Sequence, residues 1–277
     1  RMKQKIIFLD IDGTFTEPGS NVPPATACEA VRKARQAGHL VFLCTGRSYG
    51  MMSGLLTYGF DGVVASAGAY ILAGEKVIYD CPLTEKQKNS AMQVLKENGI
   101  FRTLECRDGA YTDEGVREFL LKCTKNGGGS ELLRWREQIE KSMNIHPMSE
   151  YRNQAAYKMV VMSPSAEALI KSQESLKDDF YICIQDSGNR DYVNGEVMNR
   201  KINKGIAVEY VCNYFHIPLE DSVGFGDSMN DKEMLEKTGL GICMENGCET
   251  VKAVADDICP SVTEDGIWKA FQKHHLI

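Results

Sequence analysis

A chain of 277 residues with 43% hydrophobic and 25% charged residues has the composition of a soluble globular protein and is longer than one typical domain. Its formal charge of −6, with no Lys/Arg-rich tract, excludes the concentrated positive field through which nucleic acid or an anionic membrane surface is bound. The ten cysteines are scattered, with no C-x-x-C pair and no metal-type spacing, and read as reduced thiols of a cytoplasmic protein.

No membrane span is expected, because the uncharged stretch 62–74 is broken by glycines and falls short of the ~18 apolar residues required. No secretory leader pattern opens the chain, and Arg1, ahead of Met2, is read as an appended residue. The first element is an apolar run from Lys5 to Leu9 that stops at Asp10-Ile11-Asp12-Gly13-Thr14. An uninterrupted run of this length reads as a strand buried on both faces inside a parallel sheet. Ligands bind outside the carboxyl ends of such strands, which places Asp10 and Asp12 where chemistry is done. At spacing i, i+2 both carboxylates would face one point, a repulsive arrangement unless a cation lies between them. An EF-hand loop also opens with D-x-D, but its glycine comes sixth, whereas here it comes fourth and a strand precedes it.

Pro23-Pro24 opens a helix with Ala27, Ala30, Val31, Ala34 and Ala37 at helical spacing, closed by Gly38. Leu40 to Cys44 is a second strand ending in Thr45-Gly46-Arg47, which completes a parallel βαβ unit; Asp61 to Ala65 supplies a third strand. From about Pro82 the pattern changes. A capping box at Thr84-Glu85-Lys86-Gln87 starts a helix, a hairpin turns at Arg107-Asp108-Gly109, and helices near 114–124 and 131–142 flank Asn126-Gly127-Gly128-Gly129. Strand, helix and strand follow over 156–162, 165–177 and 180–185. A helix followed by two strands, seen twice, reads as an α+β insertion. The doubly wound pattern is expected to resume around Arg190. A helix led by Asn203-Lys204-Gly205 has Ile206, Ala207, Tyr210, Val211 and Tyr214 as its apolar side, and a strand ends in Gly226-Asp227-Ser228-Met229-Asn230-Asp231. The fold class is therefore α/β, a doubly wound parallel-sheet core over 1–81 and 188–277 interrupted by an α+β cap over 82–187.

In such a sheet, strand ends far apart in sequence share one edge, so Asp10, Asp12, Thr45, Asp227, Asn230 and Asp231 can meet Lys204. Four carboxylates against one lysine leave a charge deficit that Mg²⁺ suits better than zinc, since the ligands are hard oxygens. A carboxylate cluster with a divalent cation, a lysine, a small hydroxyl and backbone donors is suited to phosphoryl transfer. One aspartate can attack phosphorus while the other protonates the leaving oxygen and later activates water.

These residues resemble the four motifs of the haloacid dehalogenase superfamily of phosphatases, and the cap between the second and third motifs resembles that of its Cof-type subfamily, with a class IIB cap. The resemblance implies that Asp10 is the nucleophile and a metal ligand, that Asp12 is the acid/base and offers its backbone carbonyl to the metal, and that Asp227 ligates Mg²⁺. It makes Thr45 and Lys204 catalytic, assigns Gly13, Thr14, Gly46, Arg47 and Asn230 to substrate, and gives Asp231 a supporting role. Dehalogenases lack the second aspartate, so Asp12 argues for phosphoryl chemistry. Ala67-Gly68-Ala69 departs from the usual Asn-Gly-Ala, and Phe15 is expected to put an aromatic ring at the pocket mouth.

The expected function is Mg²⁺-dependent hydrolysis of a small phosphorylated metabolite, such as a sugar phosphate or a phosphorylated cofactor, by a monomer or weak homodimer. A phosphomutase or a non-catalytic phosphometabolite-binding regulator are the alternatives. In the cap, Arg107, Arg134, Arg136, Arg152 and Lys158 are candidates for contact with the leaving group, as is Asn199 in the return link. Trp135 and Trp268 read as packing residues.

Overall fold

Two sheets organise the molecule, and their difference in strand direction follows from how their strands are connected. The computed structural model describes residues 3–141, 144–185 and 192–277. Along the chain the strands are β1 Ile6–Leu9, β2 Leu40–Cys44, β3 Gly62–Ala65, β4 Tyr70–Ala73, β5 Lys76–Asp80, β6 Phe101–Cys106, β7 Ala110–Thr112, β8 Ile145–Pro147, β9 Ala156–Ser163, β10 Phe180–Ile184, β11 Val193–Asn199, β12 Ser222–Gly226, β13 Leu240–Met244 and β14 Asp257–Cys259. The helices are α1 Ala25–Gln36, α2 Ser53–Leu56, α3 Glu85–Glu97, α4 Val116–Cys123, α5 Ser130–Glu140, α6 Ala166–Leu176, α7 Lys204–Tyr214, α8 Lys232–Lys237, α9 Glu249–Val254 and α10 Gly266–Lys273.

The first sheet runs β14-β13-β12-β1-β2-β3-β4-β5. From β14 to β3 every pairing is parallel, with a helix crossing between strands, while β4 and β5 add an antiparallel edge that the sequence reading did not contain. Alternate side chains of β1 go to opposite faces. Ile7 and Leu9 pack with α1 and α10 through Ala30, Val31, Ala34 and Phe271, whereas Ile6 and Phe8 pack with α7 and α8 through Val208, Val211, Met234 and Leu235. Each fully buried aliphatic or aromatic side chain contributes about 1.5–3 kcal/mol, which anchors β1 from both faces of the sheet.

The second sheet, β10-β11-β9-β6-β7-β8, carries α3 and α6 on one face and α4 and α5 on the other. Thr84 caps α3 in a full capping box: its hydroxyl accepts from the Gln87 amide at 3.1 Å and Gln87 Oε1 accepts from the Thr84 amide at 3.0 Å. On β9, Met159 and Val161 face α3 and α6, while Lys158, Val160 and Met162 face the other way.

Three expectations need correction. The boundary at 187/188 and the resumption at Arg190 lie outside the described residues, but β11 immediately after them pairs with β10 and β9 in the second sheet. Its polar residues Asn194, Glu196 and Asn199 conceal a strand that is buried along its whole length. Phe15 is not at a pocket mouth: it is fully buried, edge-on to Phe60 in the core of the first sheet. On α7 the buried residues are Lys204, Gly205, Ala207, Val208, Val211 and Cys212, whereas Ile206, Tyr210 and Tyr214 are exposed. Among the described residues, no helix is long and apolar enough to cross a membrane.

Candidate active site

The carboxyl ends of β1 and β12 and the start of α7 meet on one edge of the first sheet. Asp10 directly follows β1, and its amide donates to the Phe225 carbonyl at 3.0 Å, so the parallel ladder itself fixes its position. Asn203 caps α7 by accepting from the Ile206 amide at 2.8 Å. That orients the next residue, Lys204, whose side chain is fully buried with Nζ 2.8 Å from Asp10 Oδ1 and 2.6 Å from Asp231 Oδ1. Asp231 Oδ2 in turn accepts from the amides of Asp227 at 2.9 Å and Ser228 at 3.0 Å, which folds the loop after β12 around the lysine.

Asp227 lies against the first loop. Thr14 donates its hydroxyl to Asp227 Oδ1 at 2.9 Å. Gly13 has φ +83°, and a Cβ there would stand 2.3 Å from Asp227 Oδ2, so both backbone shape and space require glycine. Asn246 donates to the Gly13 carbonyl at 2.8 Å, a contact with no signal in the sequence.

The carboxylates of Asp10, Asp227 and Asp231 have oxygens within 4.8 Å of one another, and all three residues are buried. Burial, and after it repulsion from Asp231, pushes the Asp10 carboxyl well above its usual range despite Lys204. The same two causes raise Asp227 to about 8. Burial disfavours the Lys204 ammonium, but Asp10 and Asp231 outweigh it and hold its pKa well above the usual lysine value. Asp10 Oδ2 is buried without a hydrogen-bond partner among the described residues. Three crowded carboxylates, one ammonium and an unpartnered oxygen make a hard-oxygen donor set that fits a divalent cation such as Mg²⁺.

Asp12 does not join this cluster with its carboxylate. The chain turns after Leu9, with the Gly13 amide donating to Thr16 O and the Thr14 amide to Ile11 O, so the i, i+2 geometry of an extended strand no longer applies. Arg47 instead clamps Asp12, Nε on Oδ2 at 2.8 Å and Nη2 on Oδ1 at 2.7 Å, and the Gly19 amide adds a bond at 2.7 Å. The Arg47 guanidinium also donates to Asn21, Ser20 O and Met51 O, which commits it to the loop rather than to open space. Thr45 Oγ1 accepts from the Arg47 amide at 3.0 Å.

Above this edge lies a second buried cluster from the other sheet. Lys158 Nζ is 3.0 Å from Glu105 Oε2 and pairs closely with Glu196; Asn230 Nδ2 donates to Glu196 Oε2 at 3.1 Å. Gly46 faces all of them, since a Cβ there would meet Asn230 Nδ2 and Glu196 Oε1 at 3.1 Å and Lys158 Nζ at 3.4 Å. Arg134, fully buried, pairs with Glu131 at 2.8 Å and reaches to 3.7 Å from Asp12 Oδ2. Although burial opposes it, Arg134 foremost among nearby cations holds the Glu131 carboxyl down to about 2. Of the cap candidates, Arg134 and Lys158 thus reach the site; Arg107 pairs with its neighbour Asp108 at the surface, Arg136 bonds Glu140 and Thr124 O, and Arg152 bonds backbone carbonyls of its own loop. Asn199 accepts from the Lys201 amide at 3.0 Å. Trp135 is buried beside Arg134 and Trp268 packs against the first sheet's core under Lys33. Glu105, Glu131 and Glu196 were missed, for a glutamate on a strand or in the first turn of a helix is ordinarily solvated.

Comparison with known proteins gives the family of the chain. The profile of the haloacid dehalogenase-like hydrolases matches residues 7–271. Phosphatase YwpJ of Bacillus subtilis is 29% identical over 99% of this chain and 100% of its own. HMP-PP phosphatase of Yersinia pseudotuberculosis is 26% identical, covering 90% of this chain and 86% of its own. Among solved structures, the HAD subclass IIB sugar phosphatase BT4131 superposes with a TM-score of 0.80 over 99% of this chain and 100% of its own, at 24% identity, a likeness of fold.

Proposed function

The chain belongs to the haloacid dehalogenase-like hydrolases and is a phosphatase of small phosphorylated molecules, and we propose that it works through an aspartyl-phosphate at Asp10 with Mg²⁺ as cofactor. The observation that carries this reading is Asp10 itself: one oxygen is held by Lys204 while the other has no hydrogen-bond partner among the described residues, beside Asp227. A carboxylate fixed at one oxygen and open at the other is oriented for attack.

Asp10 and Asp227, with the Asp12 backbone carbonyl, would hold Mg²⁺, and Asp231 would order the loop that presents Asp227. The cation supplies compensation for charge on the phosphoryl oxygens. Lys204 adds fixed positive charge at the same carboxylate, and the Thr45 hydroxyl with the backbone of Gly46, Gly13 and Thr14 borders the phosphoryl position. In the first step an Asp10 oxygen bonds to phosphorus as the bond to the leaving oxygen breaks, and Asp12 gives that oxygen its proton. In the second, water attacks phosphorus, the bond to Asp10 breaks, and Asp12 takes the proton back. Arg47 and the Gly19 amide hold Asp12 through both of its oxygens, so each proton transfer requires it to turn from that pairing toward the leaving oxygen. Asn230 links this machinery to Glu196, and residues from about 82 to 199 act as the cap that excludes water and meets the leaving group.

Phosphate release from a panel of sugar phosphates, nucleotides, flavin mononucleotide, pyridoxal phosphate and an aryl phosphate, with Mg²⁺ and with chelator, tests this directly. Turnover is expected to need the metal and to fall by at least about 10⁴-fold in Asp10→Asn. Release that survives either change contradicts the reading.

A further inference from the structure

Beside Asp227 a cavity of about 330 Å³ opens between the two sheets, lined by Gly129, Ser130, Gln185, Asn194, Ser228 and Asn246. We propose that it is a subsite for a second acidic group on the substrate, so that the preferred substrates carry a phosphate or carboxylate besides the scissile phosphoryl; this rests on the phosphatase reading above.

Two independent features favour an anion there. The first is the amino end of α5, an 11-residue helix aimed at the cavity. Its first-turn amides have no intrahelical acceptor, and its N-cap is Gly129, which brings no side chain to cap them. A Cβ on Gly129 would meet nothing within 4 Å, so the backbone is uncovered at this point. Unsatisfied amides at the positive end of a helix dipole bind oxyanions. The second is Gln185, only 9% exposed, whose Oε1 accepts from the Met229 amide at 3.3 Å. With the carbonyl end occupied, the amide presents Nε2 as a donor, and Nε2 has no partner among the described residues. A buried donor without an acceptor is costly, and an anionic ligand oxygen would satisfy it.

The two acids that border the cavity do not reverse this balance. Glu131 turns its carboxylate to Arg134, at 2.8 Å, and Asp227 belongs to the carboxylate cluster suited to the cation. Asp227 lines the cavity and stands in the carboxylate cluster with Asp10, so the cavity adjoins the phosphoryl site.

The test compares a sugar bisphosphate, a phosphorylated hydroxy acid, a neutral sugar monophosphate and an aryl phosphate on the full chain with Mg²⁺. Wild type is expected to favour the first, the second or both over the neutral sugar phosphate by about tenfold in kcat/KM, the worth of one charge-assisted hydrogen bond. Which of them gains tells a phosphate from a carboxylate. Gln185→Glu places a negative charge in the subsite. Gly129→Asp supplies an N-cap that occupies the amides while stabilising α5. In both variants the ratio of kcat/KM for the acidic substrate to that for the aryl phosphate is expected to drop about tenfold through KM, and in Gly129→Asp to do so with Tm unchanged or raised. No preference in wild type, or an unchanged ratio in both variants, overturns the proposal. If wild type releases phosphate from no compound, the phosphatase reading is what has failed. The subsite is then judged by calorimetric titration with methylenediphosphonate: about tenfold weaker binding in the variants supports it, and equal binding overturns it.

Discussion

The molecule holds two buried lysines, each set between two carboxylates, and they are built in different ways. Lys204 lies between Asp10 and Asp231 at the strand ends of the parallel sheet, and the backbone takes part: Asp10 is pinned through its amide and Asp231 accepts two more. Lys158 lies between Glu105 and Glu196 on the antiparallel sheet, where Glu105 and Lys158 are register partners on β6 and β9 and side chains make the cluster. The first arrangement leaves one oxygen of Asp10 open beside Asp227 and so can react. The second also leaves Glu105 Oε1 without a hydrogen-bond partner, but it gathers two carboxylates rather than three and, among the described residues, meets the core through Asn230 and the loop at Gly46. Backbone-anchored charge suits a chemical step that tolerates little displacement, whereas side-chain-anchored charge can be rearranged between relatives to suit different leaving groups.

Replacing either lysine with an isosteric apolar residue separates the two roles. Lys204→Met should reduce turnover of an aryl phosphate by ~10²–10³-fold, since it removes fixed positive charge at the nucleophile. Added Mg²⁺ should raise the Tm of that variant without restoring its rate. Lys158→Met should destabilise the fold by ~3–5 kcal/mol in urea titration, because two buried carboxylates lose their partner, yet change aryl phosphate turnover by less than about tenfold. Equal losses of rate in the two variants would merge the clusters into one site and break the distinction.

Glu131→Gln is a smaller change, expected to cost about 1–3 kcal/mol at neutral pH by weakening the partner of buried Arg134. Its pH dependence has a definite sign. The Glu131 carboxyl is held near 2, burial notwithstanding, mainly by Arg134. An unfolded glutamate titrates near ~4.3. The stabilisation is therefore complete above that value and is lost as pH falls from about 4.3 toward 2. The Tm gap between wild type and variant should be constant above about pH 5.5 and shrink on going to about pH 3. A gap independent of pH across that range would mean that the Arg134 pairing owes nothing to the charge on Glu131.

What could be read from the sequence follows the same division. Asp10, Thr45, Lys204 and Asp227 each stand next to a strand or helix boundary marked by an apolar run, a glycine or an N-cap, and parallel topology alone gathers such boundaries on one edge. The Asp12 carboxylate escaped that logic because the chain turns beyond Leu9 and hands it to Arg47. β11 was hidden because a strand buried between two neighbours can carry Asn194, Glu196 and Asn199 when Glu196 meets Lys158 and Asn230, Asn199 accepts from the Lys201 amide and Asn194 lines a cavity. Arg134 and Lys158 stood among five basic candidates with nothing local to set them apart from Arg107, Arg136 and Arg152. Their burial depends on which face of the second sheet meets the first, a property of packing that no short stretch records. Phe15 and the exposed face of α7 belong with these, for an aromatic residue after a strand, or an apolar residue at helical spacing, has no fixed side until the helices are placed.

The central claim is that Asp10 carries the phosphoryl group. Acid-quenched single turnovers of an aryl phosphate, with wild type and with Asp12→Asn to slow the second step, followed by peptide mass mapping, test it most directly. The account predicts a phosphoryl adduct on the peptide containing Asp10, more abundant in Asp12→Asn and absent from Asp10→Asn. A metal-dependent turnover that leaves no adduct in either protein, or an adduct on another residue that persists in Asp10→Asn, would contradict it.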